Sequence, residues 1–191
     1  DKKYVNIMYE RVKKIAEAAS MMANVDYEME LISGIYEILP NRFGAGIIQN
    51  NFELLGEIKY TDSEIDYANT ILKETGKELK GLDGTIKPLR PTVPATGGST
   101  DVGDVSQVVP VVRLRTTTAA KDGPWHSWAV VACTGMSIGH KGMIYASKAL
   151  AMTMLDLYKN PKLIDGVRKE FLVRKGDRVY VPQIPPGPPK L

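Results

Sequence analysis

No regular element can run through residues 81–99 of this chain. Pro88, Pro91 and Pro94 remove backbone donors there, and four glycines, Gly81, Gly84, Gly97 and Gly98, weaken any repeating conformation. The stretch is expected to be an ordered loop or extended connector. It delivers the chain to the run Gly97-Gly98-Ser99-Thr100-Asp101-Val102-Gly103-Asp104-Val105-Ser106, and His126-Ser127-Trp128 comes after an apolar interval. Two glycines free the backbone to approach a ligand, hydroxyls and carboxylates offer polar contacts, and an imidazole arrives later: the vocabulary of an active-site loop.

On the amino-terminal side, Val5, Met8, Val12, Ile15, Ala19 and Met22 recur every three or four residues, opposite Lys13, Lys14 and Glu17. That spacing predicts a two-sided helix whose apolar face packs on a sheet. Val25, Tyr27, Met29 and Leu31 then alternate with Asp26, Glu28 and Glu30, the period of a strand with one buried face. Pro40 ends that strand and marks a domain boundary. Asn41 is suited to cap a helix over residues 42–55 that Gly56 closes, and Thr61 with Glu64 forms a capping-box pattern before a third helix ending at Gly76.

Beyond the glycine run, the β-branched residues of 108–118 predict a strand, and 128–133 a second, buried one. Met143, Ala146, Leu150, Met154 and Leu157 predict a long helix from Ser137, with Ala146, Ser147, Ala149 and Ala151 letting it sit close to a sheet. Asn160-Pro161 restarts a final helix, and residues 182–189 form a Pro-rich extended tail. An α/β fold is the expectation. The chain opens on Asp1 with the helical pattern already under way by Val5, so a piece of a longer polypeptide is expected.

A net charge of +3 over 191 residues, with both signs well mixed, gives no stripe that would track a nucleic-acid backbone. No apolar run approaches the roughly 20 residues that cross a bilayer. Neither nucleic acid nor membrane is an expected partner. The lone Cys133, inside Val130-Val131-Ala132-Cys133, reads as a small buried packing residue, which suits a reducing, cytoplasmic setting.

The candidate chemistry leaves alternatives open on the residues alone. Backbone amides at Gly97 and Gly98, with the Ser99 and Thr100 hydroxyls, can form an anion-binding concavity; equally, the run can be a tight turn in which Asp101 and Asp104 cap the next helical turn. There is no P-loop lysine and no nucleophile elbow. His126, between Trp125 and Trp128, is either a surface or satisfied histidine or a metal ligand. His140, opening the long helix, is either structural or a substrate contact. A metal pair needs four to six protein ligands, and this chain supplies no compact His/Asp/Glu cluster with such spacing.

The blocks 98–106, Val109-Pro110, His126-Ser127-Trp128 and Ser137-Ile138-Gly139-His140-Lys141-Gly142-Met143, in this order, resemble the C-terminal part of the aminoacylase/carboxypeptidase family of dimetal amidohydrolases. The resemblance implies an α/β catalytic domain holding two divalent ions, zinc or manganese, and an inserted α+β lid that mediates homodimerisation, with an A-type subunit as a further partner. It implies that residues 1–40 are the last helix and strand of the lid, and that residues 41–191 are the C-terminal portion of the catalytic domain with its tail at 180–191. It assigns His126 as a metal ligand. Gly97, Gly98, Ser99, Thr100, Asp101 and His140 become substrate-binding residues, and no catalytic residue falls in this chain because the general base and remaining ligands lie upstream. The implied reaction is hydrolysis of the amide bond of an N-acyl amino acid or dipeptide-like molecule, aminobenzoyl-glutamate being the type, with the isolated chain inactive. A non-catalytic dimerisation or ligand-binding piece is the alternative.

Overall fold

The computed structural model describes residues 2–90, 98–184 and 187, and these hold seven helices: α1 (Lys2–Ala23), α2 (Arg42–Leu55), α3 (Asp62–Glu74), α4 (Val102–Val108), α5 (Trp128–Thr134), α6 (Ser137–Lys159) and α7 (Pro161–Lys175). No strand occurs among the described residues, which corrects the α/β expectation. No described helix is long and apolar enough to cross a membrane. The chain parts into two compact units, one of residues 1–40, 94–111 and 171–191, the other of 41–93 and 112–170.

In the larger unit the helix ends follow local chemistry. The Asn41 side chain accepts from the Gly44 amide at 2.8 Å, and α2 closes at Gly56, whose φ of +74° suits glycine and whose N–H reaches Phe52 O at 2.9 Å. Both halves of the capping box of α3 form: Thr61 Oγ1 accepts from the Glu64 amide at 3.3 Å and Glu64 Oε2 from the Thr61 amide at 2.7 Å. α6 stops at Asn160, and α7 starts at Pro161.

The core joins Ala68, Ile71 and Leu72 of α3 to Ala129 and Cys133 of α5, Ile138 of α6 and Ala120. Removing Leu72 or Ile138 from water contributes roughly 1.5–3 kcal/mol each. α2 packs on α6 through polar contacts as well: Asn51, 1% exposed, donates to Thr153 Oγ1 at 3.1 Å and Asp156 Oδ2 at 2.8 Å, while Tyr145 OH donates to Gly56 O at 2.7 Å.

Each expected strand fails for a physical reason. Residues 128–133 are helical because Ser127 Oγ accepts from the Ala129 amide at 3.3 Å, and because the buried positions, Ala129 and Cys133, lie four apart rather than two. A short apolar run fits either period, and burial decides. In 109–118 the β-branched residues have no ladder to join. Their bonds go through side chains instead, with Thr116 Oγ1 donating to Gly142 O at 3.3 Å and Thr117 Oγ1 to Asp83 O.

The smaller unit shows the third failure. Val25, Tyr27 and Met29 are exposed and Leu31 is only half-buried, so the alternating face of 25–31 has no fully buried residue. The chain is gripped further on, by α4. Asp104 accepts from the Tyr36 amide at 3.2 Å and from Tyr180 OH at 3.0 Å, Ser106 Oγ accepts from the Leu39 amide at 2.9 Å, and Gln107 donates to Glu37 O at 2.7 Å. α1 is two-sided as expected, yet none of its residues is buried: Val5, Met8, Val12, Ile15 and Met22 all face solvent among the described residues.

Two glycines of the larger unit give opposite tests of this packing. A Cβ at Gly142 would stand 2.3 Å from Thr117 O, whereas a Cβ at Gly46 of α2 meets nothing within 4 Å. Gly142→Ala should therefore lower unfolding stability by about 2 kcal/mol through overpacking, and Gly46→Ala should raise it by about 0.5–1 kcal/mol through helix propensity. Urea melts of the two variants against the parent check both signs.

Candidate functional site

The glycine run and the two histidines belong to different compact units. Gly97 lies outside the described residues. Gly98 and Ser99 are exposed, Thr100 is half-buried, and Asp101 is exposed. The run turns into α4 through Gly103 N to Thr100 O at 3.1 Å and Asp104 N to Asp101 O at 3.0 Å. Asp101 makes no side-chain cap bond to α4, and Asp104 is spent on Tyr36 and Tyr180, so neither carboxylate caps the turn. Gly98, Ser99 and Asp101 thus stand open to solvent on a short loop anchored by the helix behind it.

His126 sits in the turn before α5. Gly123 N reaches Ala120 O at 3.2 Å, Ser127 Oγ donates to Pro124 O at 2.6 Å, and the same hydroxyl caps α5. Between those two anchors His126 takes φ +57°, a left-handed conformation that costs an L-residue roughly 1–2 kcal/mol. Its imidazole is exposed and has no hydrogen-bond partner among the described residues. A strained backbone that presents an unengaged imidazole is the kind of outlier that accompanies ligand binding. Among the described residues no group of three His, Cys, Asp or Glu side chains is placed to hold a metal ion.

His140 is exposed on the first turn of α6 and lines a cavity of about 450 Å³ whose wall does not include His126. The structure therefore does not bring the two imidazoles to one cavity.

Beside that cavity lies a cluster that sequence reading did not identify as such. Glu64, 7% exposed, accepts from Lys141 Nζ at 2.6 Å, Ser137 Oγ at 2.6 Å and the Thr61 amide at 2.7 Å. Burial by itself would raise the carboxyl, but the three donors outweigh it and hold Glu64 at about 2. Burial, and then the Glu64 charge, push the Tyr60 phenol up to about 12. The capping box announced Glu64 as a local partner of Thr61; its long-range partners Ser137 and Lys141 carry no sequence signal. Asp83 is a second anchor, held well below the usual carboxylate range by the Thr85 hydroxyl at 2.5 Å and by Lys87 and Lys121.

No family model and no solved structure matches the chain. It is similar to the B-type subunit of p-aminobenzoyl-glutamate hydrolase of Escherichia coli (strain K12). The identity is 28% over 191 positions, covering 87% of this chain and 40% of that protein. Over 99 positions it is also 39% identical to the Xaa-Arg dipeptidase of Mus musculus, covering 52% of this chain and 21% of that protein. The resemblance read from the motif blocks is thereby confirmed as sequence similarity. The chain spans about two-fifths of the length of the first relative and about a fifth of the second.

The Glu64 cluster yields a test with a defined sign. Because its folded carboxyl is held below the ordinary 4.5, Glu64 contributes stability that is fully present above about pH 5 and is lost as pH falls toward about 2. Glu64→Gln should cost about 2 kcal/mol at pH 7, a discounted figure since Lys141 is 35% exposed, and should flatten the loss between about pH 5 and 2. Melts of both proteins across that range measure it; parallel curves would show that Glu64 does not set the acid limb.

Proposed function

We propose that this chain forms the C-terminal part of a metal-dependent amidohydrolase acting on an N-acyl amino acid, with an aminobenzoyl-glutamate-like molecule as the substrate type. What supports the reading is the similarity across 87% of the chain to a protein named as a hydrolase of that compound. The observation in this chain that carries it is His126, exposed, unengaged and held at positive φ between the Ser127–Pro124 hydrogen bond and α5.

One imidazole with a free nitrogen fits one ligand position for zinc or manganese. It does not by itself make a site, and the remaining ligands and the general base are proposed to come from polypeptide outside this chain. Two such ions, when bound, supply an activated water and polarise the scissile carbonyl. This chain's own contribution is positioning. His126 holds one ion, the Gly98 amide and the Ser99 and Thr100 hydroxyls orient the substrate through hydrogen bonds, and Asp101 shapes the loop. Asp104 and Ser106 keep that loop in place by fixing α4 to residues 36–39. His140 lines the cavity beside α6, whose wall does not include His126.

Homodimerisation is part of the proposal and has separate support: the wholly uncovered apolar face of α1. The same face favours the second reading, a non-catalytic dimerisation module. Replacement of His126 separates the two. In the full-length hydrolase His126→Ala should lower turnover of an N-acyl amino acid by on the order of 100-fold or more, with loss of one metal equivalent, since even outer-sphere partners cost 10–100-fold. Unchanged metal content and turnover would overturn the assignment and favour the module.

A further inference from the structure

The cavity of about 450 Å³ beside α6 has a wall organised in register with the helix. His140, Ile144 and Lys148 stand four residues apart, so they form one row of successive turns spaced by about 6 Å. Leu55 and Ile58, at the end of α2 and just beyond it, line the same space and complete an apolar middle.

The charges along this wall do not cancel. Glu57 pairs with Lys59 at 2.9 Å, and Glu64 pairs with Lys141 at 2.6 Å. Lys148 is left over: its ammonium has neither an ion pair nor a hydrogen bond among the described residues. The row therefore presents a free cation at one end, an aliphatic side chain in the middle and an exposed imidazole at the other end.

We infer that this cavity binds a small organic monocarboxylate, its carboxylate on Lys148, its apolar body across Ile144 and Ile58, and a hydrogen-bonding far end on His140. A single unpaired ammonium matches one negative charge, and an apolar lining with a few placed polar groups is what small-ligand sites have in common. Inorganic phosphate, with more charge and no apolar body, fits less well. The inference does not depend on the hydrolase reading.

The probe is 4-hydroxybenzoate, titrated into the 191-residue chain and followed by amide NMR shifts, with phenol and inorganic phosphate as comparators. Shifts should concentrate on residues 140–148 and 55–59. Phenol, which lacks the carboxylate, and the Lys148→Met variant titrated with 4-hydroxybenzoate should each show about fivefold weaker binding, the loss of one partly exposed ion pair. Lys162→Met, an exposed lysine elsewhere, should bind as the parent does. Equal affinity for phenol, equal affinity for phosphate, unchanged binding by Lys148→Met, or shifts confined to other surfaces would each overturn the inference. The phenol and phosphate arms need no variant, so the test survives any misfolding of Lys148→Met.

Discussion

A buried carboxylate holds the larger unit together. Glu64 sits at the start of α3 and accepts at once from its own capping residue and from Ser137 and Lys141 at the start of α6. A charge in that position is tolerable only because every donor is in place. The bond network fixes where α6 begins, and the packing along that helix depends on the register so set: Ile138 enters the core against Leu72 and Cys133, Gly142 lies close against Thr117, and Tyr145 reaches the Gly56 carbonyl just beyond α2. The cavity with its row of His140, Ile144 and Lys148 is a consequence of the same register.

The smaller unit relies on the same device with weaker means. Residues 36–39 have no ladder partner, so α4 supplies side-chain donors and acceptors in its place, and Gly103 lets that helix approach to a distance where a Cβ would collide with Tyr36 O. α1 is tied at its start, where the Lys2 amide donates to Glu37 Oε2 at 3.1 Å and Gln183 donates to Asn6 Oδ1 at 3.1 Å, but none of its described residues is buried. Its apolar face stays wet among the described residues, which is why self-association belongs to the proposal.

Features whose physics is local were legible in the sequence. The caps at Asn41 and Thr61, the stop at Gly56, the restart at Pro161 and the burial of Cys133 each depend on a few neighbouring residues. The strands were not legible, because β-branched composition reports a preference for a pleated surface and cannot say whether a partner strand is present; 109–118 has the composition without the ladder. Residues 128–133 failed differently, since Trp128 and Val131 turned outward and left burial at helical spacing. Of the candidate site, the sequence supplied the residue types, a glycine run and two histidines. It could not announce that His126 would be held at positive φ, that Asp104 would be consumed by Tyr36 and Tyr180, or that Glu64 would find Lys141.

At the centre of the proposed chemistry stands one exposed imidazole that needs further ligands to hold a metal. Metal analysis of the isolated 191-residue chain, after incubation with zinc or manganese and removal of free ion, addresses this most directly. The expected result is that the chain retains no stoichiometric metal. Two tightly held ions per chain would contradict it, because the full ligand set would then reside in these residues.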